Sequence, residues 1–176
     1  MKNIIAIIIL VAATLNANAQ NATATAAQSA SLALSNAIQI SFTNSNSSNV
    51  SVAFNSAAQM NSGVETIDHE VLVQSNLPYS VTVNTPTNFT YSGNANTNNV
   101  IPVWNKFKMR IMSNNTGGTN VLGNGFSNVQ NGNTTLFTNC PAGGNNTFEV
   151  RYKLMPGSSY ASGTYAMNMV YTATQQ

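Results

Sequence analysis

The feature that most constrains this chain is a period of two. Short runs place an apolar side chain at every second position, and clusters of Asn, Ser and Gly separate the runs. Leu32 and Leu34 start the pattern from Ser31. Ile38, Ile40 and Phe42 continue it, as do Val50, Val52 and Phe54, then Val71 and Val73, then Tyr79, Val81 and Val83. Phe107, Met109 and Ile111, and later Phe148, Val150, Tyr152 and Leu154, repeat it. Successive side chains of an extended chain point to opposite faces, whereas a helix needs apolar spacings of three and four, so the runs predict half-buried strands. Turn-rich breaks at roughly 8–12-residue spacing, with no long amphipathic stretch, predict an all-β fold: an immunoglobulin-like antiparallel β-sandwich of about eight to ten short strands.

Within that fold several segments have specific expectations. Val71–Gln74 and Tyr79–Val83 flank Ser75-Asn76-Leu77-Pro78, and a proline cannot sit inside a central strand, so the unit reads as strand, corner, strand. Phe89 and Tyr91 begin another short strand, and Thr134–Thr138 reads as one more. Val121, Leu122, Phe126 and Val129 are expected to tie a Gly- and Asn-rich stretch to the core. Thr164–Ala173 reads as one final strand with Tyr165, Met167, Met169 and Tyr171 inward and Val170 outward. The expected core includes Val73, Val81, Val83, Phe107, Met109, Val150 and Tyr152.

The N-terminus reads differently. Lys2, the apolar run from Ile4 to Ala13 and the small-x-small site Ala17-Asn18-Ala19 form a secretory signal peptide over 1–19. The apolar run is too short to span a bilayer, so no transmembrane anchor is expected after cleavage, and the protein is expected to be secreted or held at the cell surface. Residues 20–30 hold no large apolar residue and read as a flexible arm, leaving 31–176 as a single β-sandwich domain.

Charge is scarce. Only 6% of the residues are Asp, Glu, Lys or Arg, while 29 Asn, 19 Thr and 18 Ser supply the polarity. Too few bases exist to neutralise a phosphate backbone, so nucleic acid is not an expected partner. The charges that occur are ordered. Glu65, Asp68 and Glu70 form an acidic group; Lys106, Lys108 and Arg110 share one strand face, and Glu149, Arg151 and Lys153 another. Cross-strand pairing of acidic with basic faces is the expected use, since it fixes register and discourages edge-to-edge association. The three acids lack the spacing of a calcium loop, so no metal is expected.

No catalytic motif or cofactor signature is present. His69 is the only histidine and is expected to be a packing or surface residue. Cys140 is the only cysteine, which excludes an intrachain disulfide; Asn139-Cys140-Pro141 reads as a loop holding a partly buried thiol, the alternative being a bond to a second chain. Trp104 reads first as a large core residue. Exposed instead, it would offer a sugar a stacking platform together with Tyr79, Tyr91 or Tyr160.

Val73-Gln74-Ser75-Asn76-Leu77-Pro78-Tyr79-Ser80-Val81-Thr82-Val83 resembles a stretch of bacterial exported β-sandwich proteins, in which a strand ends in Ser-Asn-x-Pro-aromatic and resumes. The run Gly163-Thr164-Tyr165-Ala166-Met167-Asn168-Met169-Val170-Tyr171 resembles the last strand of WxL-type surface domains, spore-coat-U-like proteins and fimbrial subunits. The resemblance implies a non-enzymatic structural or adhesin-type protein, with itself or other surface subunits as partners. A carbohydrate-binding module is the second expectation and a secreted hydrolase the third.

Overall fold

The computed structural model describes residues 28–43, 49–92 and 100–176. The signal peptide at 1–19 and most of the 20–30 arm lie outside the described residues. The compact unit runs from Ser35 to Gln176. Leu32 and Leu34, expected in a first strand, belong to no strand and are 85% and 80% exposed.

The unit is an all-β antiparallel sandwich. Its strands are β1 (Ile38–Phe42), β2 (Val64–Glu65), β3 (His69–Ser75), β4 (Tyr79–Thr85), β5 (Phe89–Ser92), β6 (Val100–Ile101), β7 (Phe107–Asn114), β8 (Thr119–Asn120), β9 (Ser127–Asn128), β10 (Gly132–Cys140), β11 (Gly143–Leu154), β12 (Thr164–Ala166) and β13 (Val170–Gln175). The first sheet has the order β1-β3-β11-β7-β9, with β2 continuing the β3 position along β11. The second has the order β13-β4-β10-β8, and a small third sheet has the order β12-β5-β6.

Alternation delivers the core as expected. Val71 and Val73 of β3, Phe107 and Met109 of β7 and Phe148, Val150 and Tyr152 of β11 face Tyr79, Val81 and Val83 of β4 and Phe137 of β10, all buried. The rings of Phe137 and Phe148 meet across the two sheets at 4.9 Å. Burying each such side chain is worth about 1.5–3 kcal/mol.

The chain changes sheets at prolines. Pro78 has no N–H to give to a ladder, and it stands where β3 of the first sheet gives way to β4 of the second. There the Ser75 hydroxyl donates to the Leu77 carbonyl at 2.7 Å and accepts from the Leu77 amide at 3.3 Å, a local bond that closes the corner. Pro141 does the same between β10 and β11, preceded by Asn139 in the left-handed region at φ 54°.

Three further expectations need correction, and one element was not expected. Val50, Val52 and Phe54 are half-buried in alternation but join no ladder, because period two reports which face a side chain occupies and not whether a partner strand is alongside. Thr164–Ala173 is two strands: β12 pairs with β5, the alternation carries on through Met167 and Met169, and β13 pairs with β4. Val121 is exposed, although Val129 is fully buried as expected. A short helix not expected from the sequence, α1 (Ala57–Ser62), follows Ser56, whose side chain caps it by accepting from the Gln59 amide at 3.2 Å. Among the described residues no helix is long and apolar enough to cross a membrane.

Candidate functional site

The aromatic residues expected to form a ligand platform do not share one surface. Tyr79 opens β4 and is fully buried; burial pushes its phenol up to about 12. Trp104, expected in the core, is 49% exposed. Val103 takes the core position instead, and its carbonyl accepts from Lys106 and Phe107. Asn105 at φ 67° turns the chain between them, so the indole projects outward. Tyr91 and Tyr160 do come together, each against Tyr165, at ring distances of 5.2 and 6.5 Å and steep angles. Their arrangement secures the loop before β12: Tyr91 donates to the Ser162 carbonyl and Tyr165 to the Ala161 carbonyl.

The charges are brought together. Every Asp, Glu, Lys and Arg among the described residues lies on or beside the outward side of the first sheet. Arg151 on β11 grips Asp68 through two hydrogen bonds of 2.7 and 2.9 Å and lies 3.8 Å from Glu65. The Asp68 bond holds the guanidinium firmly protonated. Lys153 reaches Glu65 at 3.5 Å. Acid therefore meets base across strands, as expected, at these three pairs. No group of three or more metal-ligating side chains occurs among the described residues.

The outward side of the second sheet is the opposite. Thr172, Thr82 and Thr135 form one row across β13, β4 and β10; Thr174 faces Ser80, and Asn84 bonds Asn133. It carries no charged residue.

His69 and Cys140 both point inward. His69 is 3% exposed, its ring lies 5.4 Å from that of Tyr152, and neither nitrogen has a hydrogen-bond partner among the described residues. Burial lowers its pKa against the opposing pull of Asp68. Cys140 is not in a loop but ends β10, fully buried, with its sulfur 3.7 Å from the Thr116 hydroxyl. Burial raises the thiol pKa, so it is a protonated packing group with no path to a second chain in the folded state.

One surface groove was not legible in the sequence. A groove of about 210 Å³ runs along one side of the sandwich between the two edge strands β1 and β13, lined by Ile40, Phe42, Val71, Met169, Val170 and Tyr171. Gln175 closes one end by donating to the Ala37 carbonyl, the Ser75 hydroxyl and the Asn76 side chain. The groove arises from the approach of two strands far apart in sequence, which no local pattern encodes. A wider cleft of about 520 Å³ lies between residues 49–53 and 64–67.

No protein family and no curated protein matches the chain by sequence. Among solved structures, a family 123 glycoside hydrolase from Clostridium perfringens, described for glycolipid glycan hydrolysis, is similar at a TM-score of 0.39 and 12% identity. The match covers 79% of this chain and 25% of that protein, so the chain spans about a quarter of its length. A likeness at that level carries no argument about activity.

Proposed function

We propose that this chain is a non-enzymatic exported protein of the cell surface, a structural or adhesin-type subunit that engages neighbouring subunits. The observation that carries the reading is the groove between β1 and β13. It is apolar, open and bordered by two edge strands, the arrangement in which an extended segment from another chain adds main-chain hydrogen bonds and fills pockets with alternate side chains. Leu32 and Leu34, exposed and spaced by two, are a segment of suitable chemistry in the same chain. The acids point away from hydrolysis: Glu65 and Asp68 are held in ion pairs at the sheet surface, and Glu70 and Glu149 stand on the same open face.

The test is fractionation of cells producing the full chain, wild type against Val170→Asp. Val170 is 52% exposed, so the substitution leaves the fold intact while placing a charge in the groove. Recovery of wild type in high-mass surface assemblies, and of the variant as free folded subunit, supports the reading. Equal assembly of both removes the groove from it, and retention of wild type inside the cell removes the surface role.

A carbohydrate-binding role is the second reading, favoured by one observation: Trp104 is exposed on a well-anchored turn.

A further inference from the structure

We infer that the cleft between residues 49–53 and 64–67 binds a compact, uncharged, hydroxyl-rich ligand of hexose size, hydrogen-bonded by the buried imidazole of His69. The cleft is separate from the β1–β13 groove and Trp104 does not line it, so it rests on neither reading of those surfaces.

A bulge builds one wall of the cleft. Glu65 stands opposite Lys153 and His69 opposite Val150, so the chain from β2 to β3 spends one residue more than β11 over the same stretch. The extra residue resets the alternation. Glu65 faces outward with Lys153, while His69 faces inward against Tyr152. Thr66 fixes the bulge. Its amide donates to the Tyr152 carbonyl at 2.9 Å, and its hydroxyl accepts from the Tyr152 amide at 3.1 Å in place of a main-chain acceptor. The opposite wall, residues 49–53, joins no ladder. The space between measures about 520 Å³, within the range of about 300–1,000 Å³ typical of small-molecule sites. His69 is the one buried residue among those lining it, and neither of its nitrogens has a partner among the described residues. Leaving a buried polar atom unpartnered is costly, and here one side chain does so twice where it borders an open cleft.

The chemistry of the lining selects the ligand. Burial lowers the His69 pKa, so at neutral pH the ring offers one N–H donor and one acceptor lone pair. Neighbouring hydroxyls answer both, one accepting and the other donating. No net charge is called for. Glu65 on the rim is already paired with Arg151 and Lys153, so it does not seek a cation, and its carboxylate repels an anion. Ser51 adds an exposed hydroxyl. Val52, Val64 and Ile67, the last 67% exposed, add apolar surface for the C–H face of a sugar ring. A peptide strand fits less well, because a bulged edge gives it no regular ladder to extend.

His69 is the only histidine, so its imidazole resonances report on this cleft alone. The experiment is a titration of the full chain with glucose, galactose, mannose and N-acetylglucosamine, followed in long-range proton–nitrogen spectra of the imidazole. The expected result is a saturable shift of the His69 nitrogens with at least one of these sugars. Ala53→Arg, at an exposed lining position, is expected to fill the cleft without disturbing the core and to abolish the shift. His69→Phe is expected to weaken binding by at least about tenfold, the scale of a buried hydrogen bond lost, read by saturation transfer on the sugar. If that variant does not fold, Ala53→Arg carries the test. Silence of His69 toward every sugar overturns the inference and leaves its nitrogens to solvent. So does a shift that survives Ala53→Arg. A sugar response confined to Trp104 fluorescence, with His69 unmoved, assigns the ligand to the indole and likewise overturns it.

Discussion

The phenol oxygens of Tyr152 and Tyr171 lie 2.6 Å apart, one contributed by β11 of the first sheet and the other by β13 of the second. They form a polar tie across an otherwise apolar interior, with Phe148 against the Tyr171 ring and the Met109 sulfur 4.0 Å from its hydroxyl.

Removing either hydroxyl strands the other. Tyr152→Phe and Tyr171→Phe should each cost about 1–3 kcal/mol, the penalty of a buried group left unpaired, and the double variant should cost little more than one alone. Urea unfolding of the four proteins in a double-mutant cycle measures this. Additive losses would mean that the two oxygens do not share a proton.

The same pair sets an alkaline limit. Burial raises both phenols above 10.0, and Tyr79 is pushed up to about 12. Between the unfolded and folded values only the unfolded chain has lost the proton, so the folded state binds more protons and stability falls as pH rises. The tyrosine contribution to stability is therefore full below about pH 10 and declines above it. Melting temperatures measured through that range should fall less steeply for Tyr152→Phe/Tyr171→Phe than for wild type.

His69 acts at the opposite end. Its pKa lies below 6.5 because burial penalises the imidazolium. Below 6.5 the unfolded chain takes up a proton that the folded chain refuses, so this contribution is present above that pH and is lost as pH falls through the folded value. His69→Phe preserves a ring against Tyr152 and should flatten stability against pH between 6.5 and the lowered pKa. An unchanged acid profile would show that His69 is not the group responsible.

Cys140 should be silent toward a thiol reagent in the folded protein and react only at the rate of opening. Gly118→Ala should accelerate labelling, because a methyl there runs into the Cys140 sulfur and comes within 2.8 Å of the Thr138 carbonyl. Overpacking of that kind costs about 1–3 kcal/mol. Native protein that reacts like a free thiol would contradict the burial.

Trp104 is the only tryptophan, so intrinsic fluorescence reports on its site alone. Acrylamide should quench it readily in the folded state, and Trp104→Ala should change stability by no more than about 0.5 kcal/mol. A protected, blue-shifted emission would return the indole to the core. Titration of wild type with soluble oligosaccharides, read by the same fluorescence, tests the carbohydrate reading.

Much of this was legible locally. In β3, β4, β7 and β11 both faces are decided residue by residue, so alternation alone predicted Val73, Val81, Met109 and Val150 as core. Where partner choice mattered, alternation was blind. It runs unbroken from Tyr165 to Tyr171 while the hydrogen bonding passes from β5 to β4, and it marks Val50–Phe54 without a ladder. Trp104 depended on the backbone of Asn105, and a hydrophobicity pattern carries no φ angle. The β1–β13 groove and the opposition of Glu70 to Glu149 belong to register between distant strands. The capping of α1 has a local signature, Ser56 with Gln59 three residues on.

The row of Thr172, Thr82 and Thr135 on the second sheet has a consequence of its own. Hydroxyls and amides neither titrate in the physiological range nor gather counterions. Whatever that side of the molecule touches, it will hold or release with the same grip in brackish or fresh surroundings, acid or neutral. The protein carries one side that the medium can tune and one that it cannot, set back to back across a single hydrophobic layer.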